Sequence, residues 1–168
     1  MADFRAVEPR DLTDNAFRLI DRDWMLITAG TLDAWNTMTA SWGGLGILWH
    51  KPVAFIFVRP TRHTWRFLER HDRFTLSFFT EEHRPALELC GTKSGRDTDK
   101  AAATGLRPVA GESGAVYFDQ ARLVLDCRKL YFQDLDPAHF LDPGIIANYP
   151  KSDFHRMYVG EVERCLAK

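Results

Sequence analysis

At 168 residues the chain is about one average domain long, and its 45% hydrophobic and 27% charged residues exclude a disordered, collagenous or fibrous protein. Twenty-two basic residues against twenty-three acidic ones leave a formal charge of −1, which lacks the basic footprint of a nucleic-acid binder. Three cysteines, Cys90, Cys127 and Cys165, form no C-x-x-C pair, so neither a disulfide framework nor a thiolate zinc site is expected and a reducing cytosol is the simpler setting. The N-terminal MADFRAVEPRD is charged and lacks the apolar core of a secretory signal. Residues 34–50, the longest run without Asp, Glu, Lys or Arg, are too short and too polar for a bilayer span. The expectation is a single cytoplasmic domain over 1–168, with no nucleic-acid or membrane partner.

In chain order, WMLITAG (24–30), NTMTASW (36–42), GILW (46–49) and VAFIFVR (53–59) are short β-prone runs separated by turn signals. They read as one meander, because no helical pattern of ten or more residues intervenes to allow a parallel crossover. A helix over 62–70 follows, capped by Thr61, with Trp65 and Leu68 on one face. FTLSFF (74–79) is a fifth strand. Residues 81–89 read as a surface helix ending before Gly91.

Next comes a polar loop, GTKSGRDTDKAAATG, with a short helix from Asp97 to Thr104; loops of this length are often functional. Residues 115–132 alternate around Ala121, Leu123 and Leu125 as a long bending strand would, and 153–166 form another. Pro137, Pro143 and Pro150 confine the intervening insertion to turns. The fold class read from these runs is mainly β: a predominantly antiparallel barrel with a few peripheral helices, which the resemblance given below makes an antiparallel split β-barrel.

Several motifs fail. GLGILW lacks the third glycine and the following helix of a dinucleotide loop, so Gly43, Gly44 and Gly46 read as a tight turn; GTKSGRD lacks the G-K-[ST] of a triphosphate loop. The six histidines show no H-E-x-x-H or H-x-x-x-H spacing, so no metal is expected. Cys90 has no evident base and reads as a packing residue. Three polar groups remain. Thr37, Thr39 and Ser41 share one face if 36–42 is a strand, serving either a solvated edge or a ligand. RPTRHT (59–64) sits at a strand-to-helix junction whose free N–H groups and dipole suit a phosphate. Lys93, Ser94, Arg96 and Lys100 form either a charged surface loop or a closure over an anion.

NTMTASW with the following glycines and KPV (51–53), RPTRHT, CGTKSGRDTDK (90–100) and HRMYVGEVE (155–163) together resemble the flavin reductase-like family with the FMN-binding split barrel, which includes flavoredoxins. The resemblance runs from about Ala16 to Val162. It implies a homodimer with one FMN per subunit at the interface, and either flavin reduction by NADH or NADPH or transfer of electrons to a flavin or other acceptor. Carried over residue by residue, it implies that Asn36, Thr37, Met38, Thr39, Ala40, Ser41 and Trp42 line the flavin, with the Thr39 and Ser41 hydroxyls toward its ribityl-phosphate side. Arg59 and Thr64, with His63 between them in the motif, stand at the phosphate, and Cys90, Gly91, Ser94 and Arg96 run beside the cofactor. Lys100 and His155 approach from the second subunit or the nicotinamide side. No catalytic acid or base is implied, because the flavin itself accepts the hydride and the protein positions the donor. The alternatives are a non-enzymatic FMN electron carrier, and a pyridoxamine-phosphate oxidase relative, which would need a second phosphate site.

Overall fold

The computed structural model describes residues 4–168; the first three residues of the charged N-terminal segment lie outside the described residues. The strands are β1 (Arg5–Val7), β2 (Met25–Thr31), β3 (Ala34–Ala40), β4 (Gly43–Leu48), β5 (Lys51–Val58), β6 (Arg73–Phe78), β7 (Pro108–Ala110), β8 (Val116–Phe118), β9 (Leu123–Asp134) and β10 (Arg156–Ala167). The helices are α1 (Ala16–Arg18), which widens into a π turn over Leu19–Asp23, α2 (His63–Arg70), α3 (Arg84–Thr92) and α4 (Lys100–Thr104). The pairing order is β3-β2-β6-β9-β10-β5-β4, with β1 beside β10 and β7-β8 as a separate small ladder; every pairing is antiparallel.

This order corrects the meander. The hairpins β2-β3 and β4-β5 lie at opposite ends of the sheet. Laid flat, seven strands would separate β3 from β4 by roughly 29 Å. Only Ser41 and Trp42 join them, and three residue steps span at most about 11 Å. The sheet must therefore curl until its two edges approach, yet no ladder pairs β3 with β4 among the described residues. The fold is mainly β, an antiparallel split barrel with few helices.

Several boundaries also differ from expectation. Gly43, Gly44 and Gly46 lie inside β4 rather than in a turn, and a Cβ on Gly43 would come 2.9 Å from the Phe55 carbonyl oxygen. The turn falls instead at Trp49 and His50, both at positive φ. Thr61 does not cap α2; Arg62 holds that position without a side-chain cap. Helix α3 runs through Gly91 to Thr92, because a residue without Cβ allows its last turn to lie against Thr39. Helix α4 starts at Lys100, with the Asp99 carboxylate accepting from the Ala102 N–H, while Asp97 and Thr98 turn back onto the Ser94 carbonyl. The run 115–132 is broken after Phe118 by a turn closed by Ala121 N–H to the Phe118 carbonyl.

Two apolar clusters hold the sheet. Leu123, Leu125 and Cys127 pack inside the barrel with Phe74, Ile56 and Tyr158. Val124 points the other way, toward Leu26, Leu87, Cys90 and Phe118 under α3. Strand β9 is thus buried on both faces over its first half, which is why its sequence shows continuous rather than alternating hydrophobicity.

Gly160 of β10 lies at a register shift against β9, and a Cβ there would stand 2.5 Å from the buried Phe74 ring and 3.0 Å from Cys127 Cβ. Gly160→Ala is therefore expected to cost about 1–3 kcal/mol through overpacking. Urea unfolding of the variant checks this; an unchanged midpoint would contradict it.

Candidate functional site

The gap between β3 and the rest of the barrel is roofed by the end of α3 and the loop that follows. Beneath them lies a groove of two lobes. The first, about 120 Å³, is lined by Asn36, Met38, residues 61–64, residues 92–96 and Lys100. The second, about 240 Å³, is lined by residues 38–42, Phe57, Arg59, Arg62, Gly91 and His155. Met38 and Arg62 belong to both. A further cavity of about 450 Å³ adjoins the second lobe across Ser41, Trp42, Phe57 and His155, and is bounded by Phe17, Ile20 and Tyr149.

Of the expected site residues, Asn36, Met38, Thr39, Ala40, Ser41, Trp42, Arg59, His63, Thr64, Gly91, Ser94, Arg96, Lys100 and His155 line these lobes. Thr37 and Cys90 do not. Both are fully buried, and the Thr37 hydroxyl is held by Thr28 Oγ1 at 2.9 Å and the Ile27 carbonyl at 3.1 Å. They take part through their backbones: Lys100 Nζ donates to the Thr37 carbonyl at 2.7 Å and to the Cys90 carbonyl at 2.8 Å. The Thr39 hydroxyl donates to the Leu87 carbonyl on α3. The expected hydroxyl row is thus largely a set of latches between β3 and its neighbours, and only Ser41, beyond the end of the strand, has no partner of this kind among the described residues.

The first lobe concentrates cationic residues: Arg62, Lys93, Arg96 and Lys100 all line it. Burial, with the Arg62 charge adding to it, pushes Lys100 down to about 8 although Cys90 opposes the change. His63 is lowered by burial and then by the Arg96, Arg66 and Lys100 charges, with Asp97 opposing; its Nδ1 is buried without a hydrogen-bond partner among the described residues. Gly95 is required here, since a Cβ would fall 1.8 Å from Asn36 Oδ1. Asn36 itself is held by Nδ2 donating to Thr64 Oγ1 at 2.7 Å. An orphaned imidazole nitrogen and a glycine-dependent loop over converging positive charges fit a phosphate group.

Arg59 stands elsewhere. Its guanidinium is paired with both Asp153 oxygens at 3.0 Å, donates to the Asn148 carbonyl at 2.8 Å, and lies 5.0 Å from the Tyr149 ring centre. It borders the second lobe, not the cationic one. The second lobe carries the rings of Trp42, Phe57 and His155, with the Trp42 ring 5.3 Å from the His155 imidazole. His155 Nδ1 meets the Tyr149 hydroxyl at 2.7 Å. Arg62 and Tyr149 are the main residues missed in the sequence. Arg62 lay inside RPTRHT, whereas nothing in the proline-rich insertion singled out Tyr149. Among the described residues no cluster of three or more His, Cys, Asp and Glu could hold a metal ion, and no helix is long and apolar enough to cross a membrane.

Burial, then the Arg59 charge, lowers His155 to about 4. Below pH 6.5 the unfolded chain binds this proton while the folded one refuses it, so stability falls as pH drops from about 6.5 to about 4 and then levels. The loss for this group is roughly 3 kcal/mol. Denaturant unfolding between pH 7 and 4.5 should show a steeper loss in the parent than in His155→Gln; parallel profiles would refute the assignment.

The sequence matches the family model described as flavin reductase like domain over residues 17–168. No curated protein matches the chain. Among solved structures, an FMN-binding domain of a flavin reductases-like enzyme from Shewanella baltica aligns with TM-score 0.70 at 19% identity, over 99% of this chain and 78% of that one. Flavoredoxin from Methanosarcina acetivorans aligns with TM-score 0.67 at 19% identity, over 87% and 68%. A Streptomyces globisporus NADH:FAD oxidoreductase in complex with NAD and FAD fragments aligns with TM-score 0.65 at 18% identity, over 87% and 74%.

Proposed function

We propose, from the premise that this chain belongs to the flavin reductase-like family, that it binds FMN in the two-lobed groove and carries electrons from NADH or NADPH to a flavin or another acceptor. The observation that carries the reading is the groove's polarity: a small lobe of converging cations joined through Met38 and Arg62 to a wider aromatic one. That sequence of surfaces matches a molecule with a phosphate at one end and a flat ring system at the other. Bound FMN would supply the hydride-accepting chemistry.

The chain's own residues bind and orient. Arg62, Arg96 and Ser94 hold the phosphate end, with His63 Nδ1 as a further polar partner. Met38 to Trp42 and Gly91 border the ring end, where backbone N–H groups can face developing negative charge without proton transfer. The aromatic cavity beside Trp42 and His155 offers room for a second ring, which favours a reductase that meets a nicotinamide over a simple carrier. Two NAD-bearing phosphates find no separate fingerprint, so this second site works by shape and stacking.

Arg59 acts by position. It holds Asp153 and Tyr149, and through Tyr149 the orientation of His155. The phosphate role expected of it passes to Arg96 and Arg62. A homodimer is part of the proposal: Ile47, Trp49, Tyr131 and Phe132 are exposed, with Trp49 of the β4–β5 turn in edge contact with Tyr131 of β9, and a second copy would cover them.

Arg96→Ala removes a solvent-facing charge-assisted contact and is expected to weaken FMN binding about tenfold. Arg59→Ala should change affinity less and lower stability, because Asp153 loses its partner. Absorbance and fluorescence titration with FMN reads both; a larger affinity loss in Arg59→Ala would return the phosphate to that residue. Anaerobic mixing of the FMN-loaded protein with NADH or NADPH should bleach the flavin band, and no bleaching with either donor would leave a carrier instead of a reductase. Light scattering after size exclusion should give twice the chain mass; a monomer that retains FMN would remove the dimer.

A further inference from the structure

The segment before β10 brings two polar groups together, and the proton between them decides what the neighbouring cavity can bind. Tyr149 Oη and His155 Nδ1 stand 2.7 Å apart, and both residues are buried. The phenol is held by its ring. Phe154 lies 4.9 Å and Phe140 5.9 Å from it, centre to centre, and the Arg59 guanidinium, itself paired with Asp153, lies 5.0 Å from the ring centre. The imidazole packs in turn against the Trp42 ring at 5.3 Å.

Either atom of that bond could carry its hydrogen, and chemistry chooses between them. A phenol is a stronger acid than the N–H of a neutral imidazole, and an imidazole nitrogen is a stronger base than a phenol oxygen. The count of partners agrees. Tyr149 Oη meets no other group among the described residues, so a donating Nδ1 would leave the buried phenolic hydrogen unbonded. Tyr149 therefore donates, Nδ1 accepts, and the neutral ring carries its hydrogen on Nε2. Nε2 has no hydrogen-bond partner among the described residues, yet it is not one of the buried atoms left unpaired, so it reaches open space. His155 borders both the second lobe and the aromatic cavity of about 450 Å³. Burial and the Arg59 charge, opposed by Asp153, keep the ring neutral by lowering it to about 4.

We propose that Tyr149 is a positioning residue: it locks His155 in the Nε2–H tautomer, so that the cavity beside Trp42 offers one uncharged donor and selects a flat ring bearing an acceptor oxygen, as the carboxamide carbonyl of a nicotinamide does. The inference rests on the reductase reading for the identity of that ring, and on the Tyr149–His155 geometry alone for the state of the imidazole. The opposite tautomer would turn a lone pair toward the carbonyl oxygen, and two acceptors face to face repel. A neutral donor also adds no buried charge when a ring covers it. The rest of the cavity suits such a ring: Phe17, Ile20, Phe57 and Leu135 are apolar, and the carboxylate among its lining residues, Asp21, disfavours an anionic one.

Long-range proton–nitrogen correlation spectra of the histidine-labelled, FMN-free protein at pH 7 read the tautomer directly. The parent is expected to show His155 protonated at Nε2 alone, its signals identified by their loss in His155→Gln. Tyr149→Phe keeps the ring and its packing but removes the hydroxyl. His155 should then populate both tautomers and take up a second proton at higher pH, because a hydrogen bond that favoured the neutral form is gone. In the FMN-loaded protein mixed anaerobically with NADH or NADPH, the same variant should need about three- to tenfold more nucleotide for half-maximal bleaching, with a smaller effect on the limiting rate. Reduced thionicotinamide adenine dinucleotide, whose sulfur is a poor acceptor, should show no such difference between parent and variant. A parent His155 protonated on Nδ1, or spectra unchanged in Tyr149→Phe, would overturn the lock. Unaltered half-saturation in Tyr149→Phe, or the same loss with the sulfur analogue, would overturn the selection of the ring. Were the parent bleached by neither nucleotide, the reductase reading and the identity of the ring would fall, and the spectra alone would decide the lock.

Discussion

The buried ammonium of Lys100 is the tie on which the groove depends. The residue is 5% exposed, yet its Nζ is engaged by two backbone carbonyls, Thr37 on β3 and Cys90 near the end of α3. One side chain from α4 thereby fixes the distance between a sheet edge and the helix that roofs it. Burying a charge is tolerated because two backbone carbonyls accept from it, and burial shows in the depressed basicity of the lysine. Its cost is also the source of its use. A cation that cannot reach solvent keeps its field in the cavity it borders, where Arg62 and Arg96 add to it.

Around this tie the split in the barrel becomes a site. Two residues between β3 and β4 force the sheet's edges together without pairing them, and unpaired edges must be covered. The cover is α3 with the 93–99 loop on one side and the insertion before β10 on the other. Each side brings its own chemistry. The loop carries cations over Asn36, with Gly95 allowing contact that any side chain would prevent. The insertion carries Tyr149 onto His155 and is itself pinned by Arg59 through Asp153 and the Asn148 carbonyl. The cationic and aromatic lobes are thus supplied by different segments, and the β3 backbone runs beneath both.

The same helix that roofs the groove presents Arg84 to a separate cavity at its other end. A single nine-residue helix therefore touches two unlike environments: one is defined by small residues and carbonyls at its C-terminus, the other by a guanidinium at its start that is paired with Glu81 and stacked on Trp24.

By itself the sequence determined the local elements and most of the groove's lining. Strand runs, the α2 helix and the four blocks from NTMTASW to HRMYVGEVE were legible because alternation, turn residues and residue order are properties of neighbouring positions. Sharing among distant positions was not. Whether Thr37 and Thr39 face a ligand or a neighbouring element depended on the pairing with β2 for the first and on where α3 came to rest for the second. Arg59 and Arg62, three apart in one motif, were separated only when Asp153, some ninety residues away, claimed the first. Gly43 of β4 looked like part of a turn because its need for close approach to the Phe55 backbone arises from pairing, not from local conformation. Tyr149 and the Arg84 cavity had no signature at all, since each is made by segments that meet only after the sheet has curled. Short-range preferences are written along the chain; which hydrogen-bond partner each polar group finds is decided by the packing that brings remote segments within three ångströms.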